Sequence, residues 1–245
     1  MSVNAAVIHQ LLERDRRVWL GNRPAAVPAH GTGFSALDRL LPGGGWPVGA
    51  LTELYPAAQG IGEFTLLLPA IARLTQAGRR VALIAPPYIP YSQALDWHGV
   101  RLDQLVLLQP ERSADALWAM EQTLSSGTVA LAVAWPLCEA RVPAFKNNMW
   151  RPRRPGEREL RRLQLAAEAG EACALLYRPM REVDNASPAA LRLKLAASEG
   201  GLWLDLFKCR GGQPATVRLH QLGATTPEPF STMTADTRLR CAAAA

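Results

Sequence analysis

Apolar and polar positions along the chain predict strands that alternate with helices. Apolar runs of strand length occur at residues 81–85, 105–108, 129–135 and 173–177. Helical patterns occur at residues 64–76, 92–98, 114–124 and 157–169. Apolar runs without alternation are typical of strands buried on both faces, and this order of elements requires right-handed crossovers. The pattern therefore predicts an α/β fold, in which helices flank a mostly parallel sheet.

The two ends of the chain have different patterns. Residues 3–19 place apolar side chains at helical spacing among charges, which predicts a short amphipathic helix before a linker. After Ser187, shorter alternating runs predict an antiparallel C-terminal extension of the sheet. We expect an N-terminal helix and linker over residues 1–30, a core with the C-terminal strands over 31–222 and a flexible tail over 223–245.

Capping residues and prolines refine the predicted bounds of two helices. Ser35 is a good N-cap for a short helix over residues 36–41, which the following Pro42 and glycines end. Pro69 lies inside the predicted helix 64–76. Since proline removes a backbone donor, this helix is expected to kink or to begin late.

Composition narrows the function classes only slightly. A formal net charge of +6 is compatible with a nucleic-acid or acidic-protein partner. The four cysteines are far apart and have no histidine at ligand spacing, so they indicate neither a zinc site nor a disulfide framework. Apolar runs are too short for a signal peptide or membrane span. We expect a cytoplasmic protein with reduced thiols.

The segment "YPAAQGIGEF", residues 55–64, has the outline of a phosphate-binding loop between a strand and a helix. Such loops read G-x-x-x-x-G-K-[ST], because backbone N–H groups hold the phosphates, lysine neutralises them and the hydroxyl binds magnesium. With Gly62 as the second glycine, Ala57 replaces the first, Glu63 the lysine and Phe64 the hydroxyl. A shifted register could use Gly60 or Thr65, but no register supplies a lysine.

Residues 31–135 resemble the ATPase core of RecA-type recombinases in the order and spacing of four segments. These are "GTGFSALDRLLPGGGWPVGALTELY", "AGRRVALIAPP", "HGVRLDQLVLLQP" and "SGTVALAVAWP". A wider resemblance includes two further segments, "RRLQLAAEAGEACALLYRP" and "LWLDLFKCRGG". Over most of its length the chain is similar to the ImuA family. These are RecA-like proteins, also described as SulA-like, that act as accessory proteins of a bacterial damage-tolerance cassette. The resemblance implies a RecA-like fold.

The RecA resemblance also locates two carboxylates that this chain lacks. A hydrolytic carboxylate is expected just after the second strand, where Pro86 and Pro87 stand. The magnesium-binding aspartate is expected at the end of the fourth strand, where Trp135 stands. Together with the altered loop, these residues predict a degenerate ATPase that is not an enzyme and uses neither a nucleotide cofactor nor a metal.

The basic stretch 141–162, "RVPAFKNNMWRPRRPGERELRR", contains aromatic side chains among its arginines. By the RecA resemblance it is a DNA-facing loop, and this composition suits base stacking and phosphate contact. It suits a protein interface equally, and a solvated loop remains the third alternative. The candidate contact residues are Lys146, Trp150, Arg151, Arg153, Arg154 and Arg158.

The ImuA resemblance implies a non-catalytic role in SOS-induced, error-prone translesion DNA synthesis after DNA damage. The implied partners are the adaptor ImuB and the polymerase ImuC, with RecA, self-association and DNA as further candidates. The N-terminal helix and residues 203–210 with the tail are candidate contact surfaces. Two alternatives are a SulA-type cell-division inhibitor that binds FtsZ and an active RecA-like ATPase with displaced catalytic residues.

Overall fold

The computed structural model describes residues 28–110, 112–136 and 155–220. The strands in these ranges are β1 (Ala29–His30), β2 (Trp46–Pro47), β3 (Ala50–Pro56), β4 (Arg80–Ile84), β5 (Leu105–Leu108), β6 (Val129–Ala134), β7 (Cys173–Tyr177), β8 (Leu191–Ser198), β9 (Gly201–Cys209) and β10 (Ala215–His220). The α-helices are α1 (Ser35–Asp38), α2 (Leu68–Gln76), α3 (Ser92–Trp97), α4 (Ser113–Ser125) and α5 (Glu157–Ala169). Short 3₁₀ turns cover Leu102–Gln104 and Met180–Glu182.

Eight of these strands form one sheet in the order β10-β9-β8-β3-β7-β6-β4-β5. The strands from β8 across to β5 are parallel to their neighbours. In contrast, β9 pairs antiparallel with β8, and β10 pairs antiparallel with β9. This arrangement confirms the predicted mostly parallel α/β sheet with an antiparallel C-terminal extension.

Both faces of the sheet are covered, which explains why its central strands lack alternation. In β6, Val133 belongs to the core cluster that includes α2, whereas Ala132 and Ala134 belong to the cluster that includes α4 and α5. All six residues of β6 are buried. A strand that is buried on two sides needs apolar residues at successive positions, as the sequence pattern indicated.

The α2 helix begins at Leu68, four residues after the predicted start, and Pro69 lies in its first turn. Proline is tolerated there because the first N–H groups of a helix have no partner within it. The α1 helix corrects another prediction, since Ser35 is its first residue and Phe34 occupies the N-cap position. A side chain further upstream orders this region, because Thr32 Oγ1 accepts the Phe34 N–H at 3.1 Å.

Along the C-terminal strands β9 and β10, more buried and more exposed side chains largely alternate. The inward side chains of β8 to β10, which include Leu193, Leu204 and Leu219, join the core cluster next to α2. At the β9–β10 pairing a Cβ on Gly201 would lie 1.8 Å from the Leu219 carbonyl oxygen, so only glycine fits there. Among the described residues, no helix is long and apolar enough to cross a membrane.

Candidate functional site

The predicted phosphate loop connects β3 to α2 and contains no regular secondary structure. Its first residue, Ala57, continues the pairing of β3 by donating its N–H to the Leu195 carbonyl at 2.8 Å. Gly60 and Gly62 have φ values of 77° and 94°, in the left-handed region that favours glycine. At the other end, the Thr65 carbonyl accepts the Leu68 N–H at 3.3 Å as α2 begins. The strand, turn and helix of a phosphate loop are therefore all present.

Glu63, which stands in place of the loop lysine, folds back onto its own loop. Its Oε1 atom accepts the Gly60 N–H at 3.1 Å, so an internal carboxylate engages one of the loop's backbone donors. The main-chain oxygen of Glu63 accepts the hydroxyl of Tyr177 at 2.7 Å, which ties the loop to the end of β7. The other carboxylate oxygen, Oε2, is buried and has no hydrogen-bond partner among the described residues.

Three aromatic rings pack together where the RecA resemblance expects the groups that bind magnesium. Phe64, at the hydroxyl position, meets Trp135 edge-on, with ring centroids 5.9 Å apart. Trp135, at the carboxylate position, stacks on Tyr177 with centroids 4.9 Å apart and ring planes inclined by 9°. Neither ring offers an oxygen ligand to a hard cation. Both expected positions are thus occupied by packed rings, and we refer to Phe64, Trp135 and Tyr177 as the aromatic cluster.

A cleft of about 340 Å³ opens beside this cluster, at the carboxyl ends of the parallel strands. Of the predicted positions, Ala57, Glu63, Pro87 and Trp135 line it. The remaining loop positions, Gly60, Gly62, Phe64 and Thr65, are not part of its lining. The cleft is therefore lined in part by residues at the predicted positions and in part by residues that sequence reasoning did not single out.

Next to the cleft lies a buried ion network that sequence reasoning missed. Arg178 donates to Glu53 at 2.6 Å and to Glu182 at 2.8 Å, and all three side chains are at most 1% exposed. Arg192 donates to the second oxygen of Glu53 at 2.7 Å. The hydroxyl of Tyr55 donates to Glu53 at 2.7 Å. The sequence contained a signal for this network, because the charged residue Glu53 interrupts one apolar strand and Arg178 directly follows another.

Charge pairing in this network has a larger effect on the pKa of Arg178 than burial has. Burial of the Arg178 guanidinium works to lower its pKa, but the nearby Glu53 charge and the hydrogen bond to Glu182 raise the pKa above its ordinary value. Burial, and secondarily the Glu53 charge, raise the pKa of Tyr55 to about 12. Both groups therefore keep their protons at neutral pH. Two arginines balance two carboxylates, so the network adds no net charge beside the cleft.

Five of the six predicted contact residues lie outside the described residues, as does the predicted N-terminal helix. They are Lys146, Trp150, Arg151, Arg153 and Arg154. Arg158, the remaining member of that set, lies exposed in the first turn of α5. Within the described ranges, no group of three or more His, Cys, Asp or Glu residues could hold a metal ion.

Comparisons with known proteins agree with the fold. A family model described as the RecA N-terminal domain matches residues 5–144. Protein RecA of Phytoplasma mali is 34% identical over 115 residues, which cover 46% of this chain and 33% of that protein. Protein RecA of Streptomyces avermitilis is also 34% identical, with 46% and 30% covered. Protein RecA of Bacillus licheniformis is 36% identical, with 45% and 31% covered.

The chain spans about a third of the length of the curated relatives it matches. The similarity includes the loop, the aromatic cluster's Phe64 and Trp135, and strands β3 to β6, all of which fall within the matched residues. Because the match covers more than half of the 245 residues, the chain belongs to the RecA N-terminal domain family.

Proposed function

We propose that this chain is a non-catalytic RecA-like accessory protein of error-prone translesion DNA synthesis, acting through ImuB and the ImuC polymerase. The non-catalytic part of the proposal is supported by the side chains at the loop where a RecA-type ATPase would bind its nucleotide. Glu63 caps its own loop through Gly60, and the aromatic cluster occupies the place of the magnesium ligands. The sequence resemblance to the ImuA family supports the cellular role.

Electrostatics at the loop oppose nucleotide binding. Two unit charges about 4 Å apart interact by roughly 4 kcal/mol at the effective dielectric constant of a protein surface. Replacing the loop lysine by Glu63 changes an attraction of this size into a repulsion. Phe64 and Trp135 offer a metal no ligand that could offset the loss. A phosphate group therefore meets an unfavourable site despite the favourable backbone shape.

An exposed apolar surface supports a role through protein contacts. Of the ten large apolar side chains that are exposed in the described ranges, seven fall between Tyr88 and Leu107. Two of them, Val106 at 36% and Leu107 at 40% exposed, lie on β5, which is the edge strand of the described sheet, and the others precede it in the chain. An apolar sheet edge with free backbone groups is a surface onto which a partner can add a strand. We refer to residues 88–107 as the edge surface.

A nucleotide titration tests the non-catalytic part of the proposal. Calorimetry with ATP and magnesium is expected to give no binding to the wild-type chain, and phosphate release is expected to stay at background. The variant Glu63→Lys restores the loop cation but leaves Phe64 and Trp135, so it is expected to gain no magnesium-dependent turnover. Micromolar ATP binding with turnover that disappears in Thr65→Ala would instead identify an ATPase with displaced residues.

Co-purification from damaged cells tests the cellular role without presuming a partner. The wild-type chain is expected to retain ImuB, and a parallel capture with FtsZ is expected to give background. Val106→Lys combined with Leu107→Lys places charges on the edge surface and is expected to weaken retention. Trp118→Lys, on exposed α4 surface, serves as the matched control. Retention of FtsZ in place of ImuB would favour a cell-division inhibitor.

DNA contact through the basic stretch is a separate part of the proposal. If phosphate contacts hold single-stranded DNA, affinity falls steeply with salt, and replacing Arg151, Arg153 and Arg154 by alanine flattens that dependence. The charge-matched control replaces three exposed arginines elsewhere, namely Arg39, Arg80 and Arg101. Absence of binding at low salt would assign the basic stretch to protein contacts.

A further inference from the structure

The C-terminal strands β8 to β10 carry polar and aromatic side chains on one face of the sheet. Along β9, Leu202, Leu204 and Leu206 are buried in the core next to α2, and the alternate side chains lie on the opposite face. We refer to that opposite face of the three strands as the outer face. Its side chains include Lys194, Trp203, Asp205, Phe207, Thr216 and Arg218.

Two aromatic rings lie on the outer face, four residues apart on β9. Trp203 is 43% exposed, and Phe207 is partly exposed. At about 3.3 Å per residue, the two side chains are separated by about 13 Å along the strand. Arg218 lies directly opposite Trp203 on β10, and the Lys194 ammonium lies 5.0 Å from the centroid of the Phe207 ring. Each ring therefore has a cation beside it.

Positive charge on these strands exceeds negative charge. From β8 to β10 the chain contains five lysines and arginines but two acids, and one acid, Asp205, is already paired with Lys194 at 3.4 Å. The Arg218 guanidinium donates to the Ser198 hydroxyl at 3.1 Å and to the main-chain carbonyl of Glu199 at 2.7 Å. Because both of these acceptors are neutral, the charge of Arg218 is not paired by them.

Further cations lie at the end of β9 and directly after it. Lys208 donates to the Ser187 carbonyl at 2.7 Å, and Arg210 donates to the Pro188 carbonyl at 3.1 Å. Burial, followed by the charges of Arg192 and Arg210, lowers the pKa of Lys208. Cations that are held close together by neutral carbonyls attract a negatively charged ligand. Positive charge therefore accompanies β9 along most of its length.

An unpaired nucleic-acid strand matches this combination of rings and cations. Its phosphates are attracted to cations along the strand, and its exposed bases stack on aromatic side chains that a sheet presents. We propose that the outer face and the adjoining end of β9 bind single-stranded DNA. Its bases stack on Trp203 and Phe207, and its phosphates contact the three cations Lys208, Arg210 and Arg218. This site is separate from the basic stretch, and the choice of DNA over RNA rests on the proposed function.

The test uses the full chain and a fluorescein-labelled oligothymidylate of about 20 nucleotides, longer than a typical single-strand site. An abasic oligomer of the same length has the same phosphates without bases and is the ligand control. An oligouridylate of that length is the RNA comparison. Fluorescence anisotropy at low salt is expected to show that oligothymidylate binds at least tenfold more tightly than the abasic oligomer, because only the former can stack. Oligouridylate is expected to bind no more tightly than oligothymidylate.

Two variants with matched controls locate the site. Trp203→Ala is expected to weaken oligothymidylate binding about tenfold and to leave abasic binding unchanged, because a stacking ring is lost. Trp97→Ala, at an 81% exposed tryptophan on α3, is its control and is expected to leave both unchanged. Arg218→Gln is expected to reduce the salt dependence by about one phosphate contact. Arg80→Gln, at an exposed arginine that begins β4, is its control. Unchanged circular dichroism spectra show that the variants fold.

The triple replacement of Arg151, Arg153 and Arg154 by alanine separates this site from the basic stretch. If Trp203→Ala weakens binding both with and without the triple replacement, the inference is supported. If only the triple replacement weakens binding, DNA is held by the basic stretch, and the inference fails while the proposed function stands.

The ligand comparisons give three further results that would overturn the inference. Equal binding of the abasic oligomer and oligothymidylate would show attraction to charge alone, which an acidic protein would share. Tighter binding of oligouridylate would make the face an RNA site. If no oligomer binds at low salt, the outer face is not a nucleic-acid site. The ATP titration and the ImuB capture decide the proposed function independently of these results.

Discussion

Replacing Trp135 by aspartate tests whether the position of the magnesium ligand is filled by the protein itself. The variant returns a carboxylate to the place where a RecA-type ATPase is expected to have one. In this chain that carboxylate would lie against Phe64 and Tyr177, whose rings now contact the Trp135 ring. We therefore expect Trp135→Asp to destabilise the fold without creating a metal site.

The size of the effect follows from burial. Trp135 is 8% exposed, and a buried indole removes about 200 Å² from water. At about 25 cal/mol per Å² this burial contributes about 5 kcal/mol, as an upper value. The lost ring contacts and the unpaired carboxylate add to the cost, while relaxation of the cleft reduces it. We expect the free energy of unfolding to fall by about 4 kcal/mol.

Urea denaturation followed by circular dichroism measures this change. At a slope of about 2 kcal/mol per molar urea, the midpoint is expected to fall by about 2 M. Trp97→Asp is the matched control, because Trp97 is 81% exposed at the end of α3 and its change is expected to stay within about 0.5 kcal/mol. A loss below about 1 kcal/mol in Trp135→Asp would show that water reaches this position, which would contradict the filled site.

Two further predictions concern the buried ion network. Arg178→Met removes the cation that Glu53 and Glu182 share and is expected to cost about 3–5 kcal/mol of unfolding free energy. Glu121→Gln, at a partly exposed ion pair, should cost less than about 1 kcal/mol in the same denaturation assay. Because the pKa of Tyr55 is raised from 10.0 to about 12, its contribution is complete below about pH 10 and is lost as the pH rises toward 12. Between about pH 9 and about pH 11 the wild type should therefore lose roughly 1 kcal/mol more stability than Tyr55→Phe, and equal slopes for the two proteins would contradict the assignment.

The sequence predicted most of the fold because its signals are local or periodic. The apolar runs at β4 to β7 and the helical patterns at α3 to α5 matched the structure to within about two residues at either end. The predicted start of α1 was wrong because the same residue can occupy either of two positions at a helix start. Ser35 can serve as an N-cap or as a first helical residue, and the structure has the second arrangement, in which the Thr32 hydroxyl accepts the Phe34 N–H.

The candidate site was predictable only in part. The loop positions could be inferred from spacing because a phosphate loop is contiguous, and the RecA resemblance pointed to Pro87 and Trp135 because both follow apolar runs. Tyr177, which completes the aromatic cluster, is 42 residues beyond Trp135 and reads as one more apolar strand residue. Only the parallel pairing of β6 with β7 brings the two rings into contact.

The sequence by itself thus determined that this chain has the backbone frame of a RecA-like core, and it has Glu63, Phe64 and Trp135 where the resemblance expects the lysine, the hydroxyl and a carboxylate. Those facts depend on residue identity and on short spacing. Tertiary structure decided what took their place: Glu63 closing on Gly60, three rings packed together, and an ion network that joins Glu53 to Arg178 across 125 residues. Such contacts connect distant segments through strand order, and no local pattern in the sequence encodes strand order.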